Sequence, residues 1–501
     1  MPNILLITSD QQHFSTLGVD NPLIQTPALD RLAREGTLCE RAYCPNPVCS
    51  PSRSSIITGQ LPSQHGCWTI GVKLPEATQT VGELFSRAGR DSWLIGKAHF
   101  QPLKATPDCP SLETYDNARN FDFWRNFHGP FYGFDHIEIT RNHSDEFMVG
   151  QHYALWMEQQ GFKSWRDHYM KWPPEKGDQH RHGAWSLPQE YHYTRWTADR
   201  TIAMLENAKK TGKNFLGWCS FHDPHPPYLV PEPWASLYKP ADMRPGKLVP
   251  GEHDRNPIHF RMTQEKHPDY SAWKESGQGL HGFMSHLHDY AELQYDMAIY
   301  YGMISFMDRE IGRVLAKLDE LGMADDTLVV FTTDHGHFIG QHGLIAKGAF
   351  HYEDMLKLPF LARWPKQIPA GRRSQALVSL IDLAPTFLSA AGLPVPGAMQ
   401  GINQLPAWRG EKPAVRDHVI VENRHEPTTI HLRTYINDRY KLTVYRGHDY
   451  GELFDLQEDP QELHNLWDDP AKAALKGELM HRFVQAEIAS EATVMPRISG
   501  A

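Results

Sequence analysis

The sequence has few cysteines, no long apolar run and no excess of basic residues, and each shortage excludes a class of protein. Six cysteines in 501 residues are too few for a chain built on disulfide bonds, as small secreted domains are. No apolar run approaches the ~18 residues that cross a bilayer, so we expect no membrane partner. The apolar run at the N-terminus is short and follows no basic segment, which indicates a buried strand rather than an export signal. We therefore expect a cytoplasmic globular protein with reduced thiols.

Acidic residues outnumber basic ones in this chain. The 50 Lys and Arg against 60 Asp and Glu give a formal net charge of −10. A general nucleic-acid binder is expected to be basic, so we expect no nucleic-acid partner, while a small cationic pocket for an anionic substrate remains compatible with this balance. The 29 histidines favour metal and acid–base chemistry, because histidine is the commonest metal ligand and a frequent general acid or base.

Strand-like and helix-like segments alternate through most of the chain. Strand-like apolar runs occupy residues 3–8, 214–221 and 327–333. Their alternation with amphipathic segments predicts an α/β fold, with a mostly parallel sheet sandwiched by helices. Asp10, His222 and Asp334 each follow one of these strands. Because ligands bind beyond the carboxyl ends of strands in such sheets, we expect these three residues to face a common site.

The alternation is interrupted twice and changes character near residue 395. Residues 101–189 are rich in aromatic residues and histidine, and residues 235–287 are rich in proline, histidine and charge. Both are predicted as insertions, which commonly carry specificity. We predict a catalytic domain over 1–394 with these two insertions, followed by a smaller C-terminal α+β subdomain over 395–501 that contains an antiparallel sheet.

The segment 49–59, Cys-Ser-Pro-Ser-Arg-Ser-Ser-Ile-Ile-Thr-Gly, is the most informative in the chain. Its proline and small residues favour a turn-prone loop. A nearby cation lowers the pKa of a thiol and binds anions, so Cys49, four residues before Arg53, is a candidate nucleophile. From these residues alone, the alternative is a buried and unreactive thiol.

This segment resembles the Cys-x-Pro-Ser-Arg signature of type I sulfatases, a family of the alkaline phosphatase-like superfamily. The resemblance implies that a formylglycine-generating enzyme converts Cys49 into Cα-formylglycine, whose hydrate is the nucleophile. It also implies the fold of that superfamily and the hydrolysis of a small anionic sulfate monoester. Nearly the whole chain outside the two insertions shares this likeness.

Residues 89–99, which end in Gly-Lys-Ala-His, resemble a second segment of the family and depart from it at Arg90 and Ala98. By this resemblance Lys97 orients the formylglycine and His99 acts as base on its second hydroxyl. The cations that would meet the tetrahedral anion are Arg53, Lys97 and Lys347.

Two strand ends supply candidate metal ligands. The candidates are Asp10, Gln11, Cys49, Asp334 and His335. Two carboxylates, an amide oxygen and an imidazole suit a divalent cation held together with the nucleophile at residue 49. The resemblance makes Ca²⁺ the expected ion, with Mn²⁺ and Mg²⁺ as alternatives. The family usually has a second aspartate where this chain has Gln11. The pairs Asp-Gln and Asp-His resemble the subset that includes choline sulfatases and phosphonate monoester hydrolases.

His222 and Lys347 complete the predicted catalytic set. His222 begins a His-Asp-Pro-His segment, and Lys347 lies in the stretch that follows Asp334. By resemblance, both contact the sulfate or the departing oxygen, which makes them candidates for leaving-group assistance. The resemblance also implies a homodimer or tetramer.

Other activities remain open at this point. A hydrolase of phosphonate monoesters or phosphodiesters with the same nucleophile is the main alternative, and Gln11 and His335 are compatible with it. A metal-dependent phosphatase with a Ser or Thr nucleophile is disfavoured by the full signature around Cys49. A non-catalytic sulfate-binding protein is disfavoured because every expected site type is present.

Overall fold

The computed structural model describes residues 2–141, 145–171, 182–273, 281–424, 429–491, 493–494 and 498–500. Its strands are β1 (Asn3–Ser9), β2 (Thr37–Tyr43), β3 (Asp91–Gly96), β4 (His136–Ile139), β5 (His182–Ala184), β6 (Phe215–Ser220), β7 (Tyr228–Val230), β8 (Thr327–Thr333), β9 (Phe338–Ile339), β10 (Ile345–Ala346), β11 (Lys357–Leu358), β12 (Leu361–Arg363), β13 (Arg372–Ser379), β14 (Val419–Arg424), β15 (His431–Ile436), β16 (Tyr440–Tyr445) and β17 (Gly451–Asp455). Its α-helices are α1 (Pro27–Glu35), α2 (Cys49–Thr58), α3 (Pro62–His65), α4 (Val81–Arg87), α5 (Tyr115–Ala118), α6 (Phe121–Asn126), α7 (Gln151–Gln159), α8 (Tyr193–Thr211), α9 (Ile258–Met262), α10 (Tyr290–Glu320), α11 (Glu353–Leu356), α12 (Leu383–Ala390), α13 (Leu405–Trp408) and α14 (Ala473–Ala489).

A nine-stranded sheet forms the centre of the molecule. Its strand order is β11-β2-β12-β8-β1-β6-β3-β4, and β13 pairs with β2. From β8 to β4 all neighbours are parallel, whereas β11 and β12 run antiparallel to β2. The mostly parallel α/β sheet predicted from the alternation is confirmed.

Strand β1 is apolar along its length because its two faces enter two different cores. Ile4 and Leu6 pack in the core that α2, α4 and α12 cover. Leu5 and Ile7 pack in the core on the opposite face, which α1, α8 and α10 cover. A parallel strand with helices on both sides loses water from both faces, so successive positions are all hydrophobic.

Four adjacent parallel strands end at one edge of this sheet. The register pairs Ser9 of β1 with Thr333 of β8, and Thr8 of β1 with Ser220 of β6. It also pairs Gly96 of β3 with Ser220. The residues that follow β8, β1, β6 and β3 therefore emerge side by side, at the place where ligands bind in open α/β sheets.

The C-terminal part contains a separate antiparallel sheet, in the order β14-β15-β16-β17. Leu479 and Phe483 of α14 pack against Tyr435 and Leu442 of this sheet. The antiparallel sheet predicted for this part is confirmed, while a domain boundary at residue 395 stays a prediction. Among the described residues, every helix is too short or too polar to span a lipid bilayer.

The prediction of a turn-prone loop at residue 49 is wrong. Cys49 is the first residue of α2, after Val48 in an extended conformation. Pro51 lies in the first turn of this helix, where a missing backbone N–H costs no intrahelical hydrogen bond. A proline-containing run of small residues is therefore compatible with a helix start, and the helix directs Cys49 toward the sheet edge.

Candidate active site

Cys49 is buried at the N-terminus of α2 and is surrounded by charged groups. Its Sγ lies 3.1 Å from His335 Nε2, 3.2 Å from Lys347 Nζ and 3.6 Å from Asp10 Oδ1. Burial and Asp10 raise the pKa of the thiol. Lys347, Lys97 and His335 lower it by more, so the net shift of this pKa is downward. The sheet edge thus holds residue 49 where cationic and metal-ligating side chains meet.

Asp10 follows β1 and Lys97 follows β3, on either side of β6, and the two side chains form a buried ion pair. Burial raises the pKa of the Asp10 carboxyl, but Lys97 and Arg53 outweigh burial and hold this pKa below its usual range. Asp10 is therefore ionised at neutral pH and available as an anionic ligand.

Arg53 lies one helical turn after Cys49, and its side chain points toward Asp334. Its Nε donates to Asp334 Oδ2 at 2.8 Å, and its Nη1 donates to the Lys97 carbonyl at 3.0 Å and to Ser220 Oγ at 2.7 Å. Its Nη2 is buried and has no hydrogen-bond partner among the residues that the structure describes. Arg53 therefore fixes the orientation of Asp334, and its Nη2 faces no acceptor in the described part of the protein.

Four buried side chains form a candidate cation site. One ligand atom each of Asp10, Cys49, Asp334 and His335 lies within 4.8 Å of the other three. His335 Nδ1 is 3.0 Å from the Gly336 carbonyl; since a carbonyl only accepts, Nδ1 carries the proton and Nε2 faces the cluster with its lone pair. Burial lowers the pKa of His335, but Asp334 and Cys49 raise it more, and the net shift is upward.

Gln11 is joined to this cluster through its backbone. Its N–H donates to Asp334 Oδ1 at 3.0 Å, and its Oε1 is buried without a hydrogen-bond partner in the described part of the chain. A buried amide oxygen that lacks a donor is costly unless a ligand satisfies it. Two carboxylates, this amide oxygen and an imidazole therefore fit a hard divalent cation.

Lys347 connects residue 49 to a histidine that the sequence analysis did not select. Lys347 Nζ lies 3.3 Å from His225 Nε2, and His225 Nδ1 is 2.5 Å from the Pro226 carbonyl. Burial lowers the pKa of Lys347, but Cys49 and Asp10 raise it, and the net shift is upward. Burial and Lys347 hold the pKa of His225 well below its usual value. The available signal was the second histidine of the His-Asp-Pro-His segment.

His222 is buried on the segment that follows β6. Its Nε2 donates to the Thr140 carbonyl at 3.0 Å, and its ring meets that of Tyr193 edge-on, with centroids 5.4 Å apart. Burial lowers the pKa of His222 well below its usual value, and Lys97 lowers it further. His222 is therefore a neutral side chain near the cations of the site.

His99 is buried in a left-handed conformation, with φ 64°. Its N–H and those of the next two residues donate to the Glu113 carboxylate at 3.0, 2.8 and 3.1 Å. Arg141 Nη1 pairs with the same carboxylate at 2.9 Å. Glu113 and Arg141 both belong to the segment predicted as the first insertion, which thus holds the turn that carries His99.

The segment predicted as the second insertion holds the backbone next to Lys347. His286 Nδ1 accepts from the Ile345 N–H at 3.1 Å, and His286 Nε2 donates to the Gly282 carbonyl at 2.7 Å. Ala346, between Ile345 and Lys347, has φ 57°, which is unusual for a residue with a Cβ. Contacts from the insertion therefore stabilise a strained backbone beside the lysine.

Direct contacts join most of the residues singled out from the sequence. The joined residues are Asp10, Gln11, Cys49, Arg53, Lys97, Asp334, His335 and Lys347. His222 and His99 lie next to this group on the segments that follow β6 and β3. The catalytic and metal-binding roles of these ten residues stay predictions.

Comparisons with known proteins place the chain in a family. The family model described as Sulfatase matches residues 2–393, and that of N-sulphoglucosamine sulphohydrolase, C-terminal, matches residues 340–489. An arylsulfatase of Clostridium perfringens is 28% identical over 484 residues, which cover 93% of this chain and 90% of the relative. The multifunctional alkaline phosphatase superfamily protein PehA of Trinickia caryophylli is 28% identical over 501 residues, covering 94% of this chain and 92% of the relative.

A solved structure of similar shape is a phosphonate monoester hydrolase of Agrobacterium radiobacter. Its TM-score to this chain is 0.80 at 24% sequence identity, covering 99% of this chain and 97% of that one. At this identity the likeness bears on the fold alone.

Proposed function

This chain belongs to the sulfatase family, and from that premise we propose that it hydrolyses a small sulfate monoester with a formylglycine, formed from Cys49, as the nucleophile. The observation that carries the proposal is the position of Cys49. Its Sγ lies 3.1 Å from His335 Nε2 and 3.2 Å from Lys347 Nζ. A nucleophile at this point faces a proton donor and a candidate cation site at once.

The ligand set supports a divalent metal as cofactor. Asp10, Gln11, Asp334 and His335 would hold the ion next to residue 49, with Ca²⁺ favoured by three oxygen donors, and Mn²⁺ or Mg²⁺ as alternatives. When bound, the metal supplies positive charge that lowers the pKa of the nucleophile and offsets charge on the transferred group.

The first half of the proposed reaction transfers the sulfuryl group to the enzyme. One hydroxyl of the formylglycine hydrate gives its proton to the Asp10 carboxylate, whose Oδ1 lies 3.6 Å from Sγ of residue 49, and attacks sulfur, while the bond between sulfur and the ester oxygen breaks. The departing oxygen takes up a proton, for which Lys347 is the nearest charged donor to residue 49. His222 and His225, on the segment after β6, orient the sulfate and the lysine. Arg53 Nη2, Lys97 and Lys347 stabilise the charge that develops on the sulfuryl oxygens.

The second half releases inorganic sulfate. His99 removes the proton of the second hydroxyl, the carbon–oxygen bond to sulfate breaks, and the aldehyde returns. Addition of water to the aldehyde restores the hydrate. A cysteine cannot follow this route because it has a single nucleophilic atom, so the proposal requires prior conversion of Cys49 by a formylglycine-generating enzyme.

Hydrolysis of phosphonate monoesters or phosphodiesters is the second candidate, and Gln11 is the observation that favours it. A neutral amide in place of a carboxylate reduces the negative charge of the ligand set, and the Asp-Gln and Asp-His pairs resemble those of the subset that includes phosphonate monoester hydrolases. The relative PehA is named a multifunctional alkaline phosphatase superfamily protein. Sulfate hydrolysis remains the first choice because the family model matches over residues 2–393.

The test compares 4-nitrophenyl sulfate with 4-nitrophenyl phenylphosphonate, using protein co-produced with a formylglycine-generating enzyme. We expect a larger kcat/KM for the sulfate, and loss of both activities in Cys49→Ala. A larger kcat/KM for the phosphonate would reverse the order of the two candidates. Activity that survives in Cys49→Ala contradicts the proposed nucleophile for either substrate.

A further inference from the structure

We propose that His337, itself fixed by Tyr228, is a positioning residue that orients the Gln11 side chain so that its amide oxygen faces the metal. The inference rests on the metal site of the proposed function and concerns a residue outside the ligand set. It assigns a task to the fourth residue of the segment that begins at Asp334.

The two ends of the Gln11 amide have different environments. Nε2 lies 2.8 Å from His337 Nδ1, whereas Oε1 is buried without a hydrogen-bond partner among the described residues. The two ends of a primary amide are nearly equal in size, so packing alone does not decide which end faces which way. The hydrogen bond to His337 decides it, because a ring nitrogen with a lone pair accepts from NH₂ and gains nothing from a carbonyl oxygen.

His337 accepts from Gln11 in the tautomer that carries its proton on Nε2, and the Tyr228 hydroxyl is the acceptor for that proton. His337 Nε2 lies 2.6 Å from the Tyr228 hydroxyl. With Nε2 protonated and donating to Tyr228, Nδ1 is left as the acceptor that Gln11 needs. His337 is fully buried, so water does not compete for either nitrogen.

A second tyrosine holds both His337 and the Gln11 backbone. The Tyr300 ring stacks on the His337 ring, with centroids 5.0 Å apart and planes at 25°. The Tyr300 hydroxyl donates to the Gln11 carbonyl at 3.0 Å and accepts from the His13 N–H at 2.8 Å. Gln11 has φ 61°, a left-handed conformation, so its backbone also depends on outside contacts.

A carboxylate at position 11 would not need this support. Its two oxygens are both acceptors, so either can face a cation, whereas a glutamine offers one oxygen and must be turned correctly. The proposal therefore makes the effect of His337 on metal binding depend on which residue stands at position 11. A role in general packing predicts the same effect with either residue.

The experiment is a double-mutant cycle on metal affinity. Ca²⁺ and, separately, Mn²⁺ are titrated by calorimetry into chelator-treated wild type, His337→Phe, Gln11→Asp and the double variant. Loss of a hydrogen bond that orients a ligand typically weakens metal binding about 10- to 100-fold. We expect a weakening in that range for His337→Phe in the glutamine background and less than about 3-fold in the aspartate background.

Two further variants control for disturbance of the fold. His152 has the same pattern of contacts away from the site, since its Nδ1 accepts from the Ile139 N–H at 3.0 Å and its Nε2 donates to the Phe127 carbonyl at 2.9 Å. His152→Phe is expected to leave metal affinity unchanged. Tyr228→Phe keeps the His337 ring and removes only the hydrogen-bond partner of Nε2, so we expect an intermediate loss of affinity. If His337→Phe does not fold, the cycle is repeated with Tyr228→Phe.

Equal weakening in the glutamine and aspartate backgrounds overturns the inference, because it shows that His337 acts through packing. Unchanged affinity in His337→Phe overturns it as well. Absence of Ca²⁺ and Mn²⁺ binding by wild type, with Mg²⁺ then titrated and also not bound, overturns both the metal site and this inference. The predicted cycle in a protein without sulfatase activity contradicts the proposed function and supports the role of His337, so the two failures are distinguishable.

Discussion

In the proposed reaction, Lys347 donates the proton that the departing ester oxygen takes up. Its Nζ contacts both Cys49 Sγ and His225 Nε2. The upward net shift of its pKa keeps the side chain charged, and His225, which is neutral, accepts one of its hydrogens. A charged lysine with one hydrogen directed at residue 49 suits the transfer of a proton to an ester oxygen bound there.

Lys347→Met is expected to slow the hydrolysis of aryl sulfates in proportion to how poor the leaving group is. Loss of a general acid costs about 10²- to 10⁴-fold for leaving groups that need protonation and much less for 4-nitrophenol. The measurement is kcat/KM for a series of substituted phenyl sulfates, plotted against the pKa of the phenol. We expect a steeper dependence in the variant than in wild type.

Lys441→Met is the matched control for this variant. Lys441 is also fully buried, but it pairs with Glu462 in the C-terminal part. We expect it to lose stability and to keep the leaving-group dependence of wild type. A uniform loss of rate across the series in Lys347→Met would show that Lys347 only binds the sulfate group.

The residue types of the site were readable from the sequence, but some of their contacts were not. Cys49, Asp10 and Asp334 stand in segments with a recognisable local pattern. Arg53 was expected to face the substrate, whereas its Nε and Nη1 are committed to Asp334, Lys97 and Ser220. His225 and His337 were not selected at all. Side-chain orientation and partners depend on distant segments, on which a local pattern carries no information.

At the scale of elements, a segment outside the regular strands holds the turn that carries His99 in place. Glu113 accepts three successive backbone N–H groups, from His99 to residue 101, and pairs with Arg141. Both side chains of this ion pair are buried. The carboxylate thus accepts from three successive backbone N–H groups that together form a concave anion-binding turn.

Glu113→Ala is expected to slow the second half of the reaction more than the first. Without the carboxylate the turn at His99 relaxes, and the proposed base no longer faces the second hydroxyl. Stopped-flow measurement with 4-nitrophenyl sulfate is expected to show a rapid burst of 4-nitrophenol followed by slow turnover. Loss of one partner of a buried ion pair also costs stability, about 3–5 kcal/mol.

Glu138→Ala separates the two effects. Glu138 is buried and pairs with Arg200 through Nε at 2.6 Å, away from His99. We expect this variant to lose stability and to turn over without a burst. Slow turnover without a burst in Glu113→Ala would count against a role for Glu113 in positioning His99.

Helix α1 depends on a carboxylate from another helix. Thr26 precedes α1 but its side chain makes no capping hydrogen bond. Asp308 of α10 accepts instead from the N–H groups of Ala28 and Leu29, at 2.9 and 2.8 Å. Burial raises the pKa of Asp308 to about 7, more than these two hydrogen bonds lower it.

The raised pKa predicts how the contribution of Asp308 to stability varies with pH. Since the folded-state value lies above the usual aspartate value of about 3.9, the contribution is full below that value and is lost as the pH rises through 7. Urea unfolding of wild type and Asp308→Asn should therefore show a larger difference in the free energy of unfolding at pH 5 than at pH 8. An equal or larger difference at pH 8 would indicate that Asp308 caps the helix as a carboxylate.

Element positions were more predictable than element partners. The apolar runs at 3–8 and 327–333 became β1 (Asn3–Ser9) and β8 (Thr327–Thr333), because burial on both faces of the sheet leaves a continuous apolar run in the sequence. The start of α2 at Cys49 was missed, since proline and small residues suit both a turn and the first turn of a helix.

At the scale of the whole molecule, the candidate metal site exists only when the chain is folded. Its ligands come from the ends of β1 and β8 and from the start of α2, which are far apart in sequence. An ion that binds the folded state alone stabilises it by mass action, about 2.7 kcal/mol at 100 times Kd.

Metal removal and return should therefore shift the unfolding temperature. We expect Ca²⁺ to raise the Tm of chelator-treated wild type in thermal unfolding, and to leave the Tm of Asp334→Asn nearly unchanged. An equal rise in both proteins would place the stabilising ion elsewhere. No rise with Ca²⁺, Mn²⁺ or Mg²⁺ would contradict the metal site itself.

The mass of the tryptic peptide 42–53, from active protein reduced and alkylated with iodoacetamide, shows whether residue 49 is a formylglycine. This peptide contains Cys44 and residue 49, so Cys44 serves as an internal standard for alkylation. The account predicts one alkylated cysteine, together with an aldehyde at residue 49 that a hydrazine reagent traps. Two alkylated cysteines and no hydrazone in fully active protein would contradict the formylglycine nucleophile.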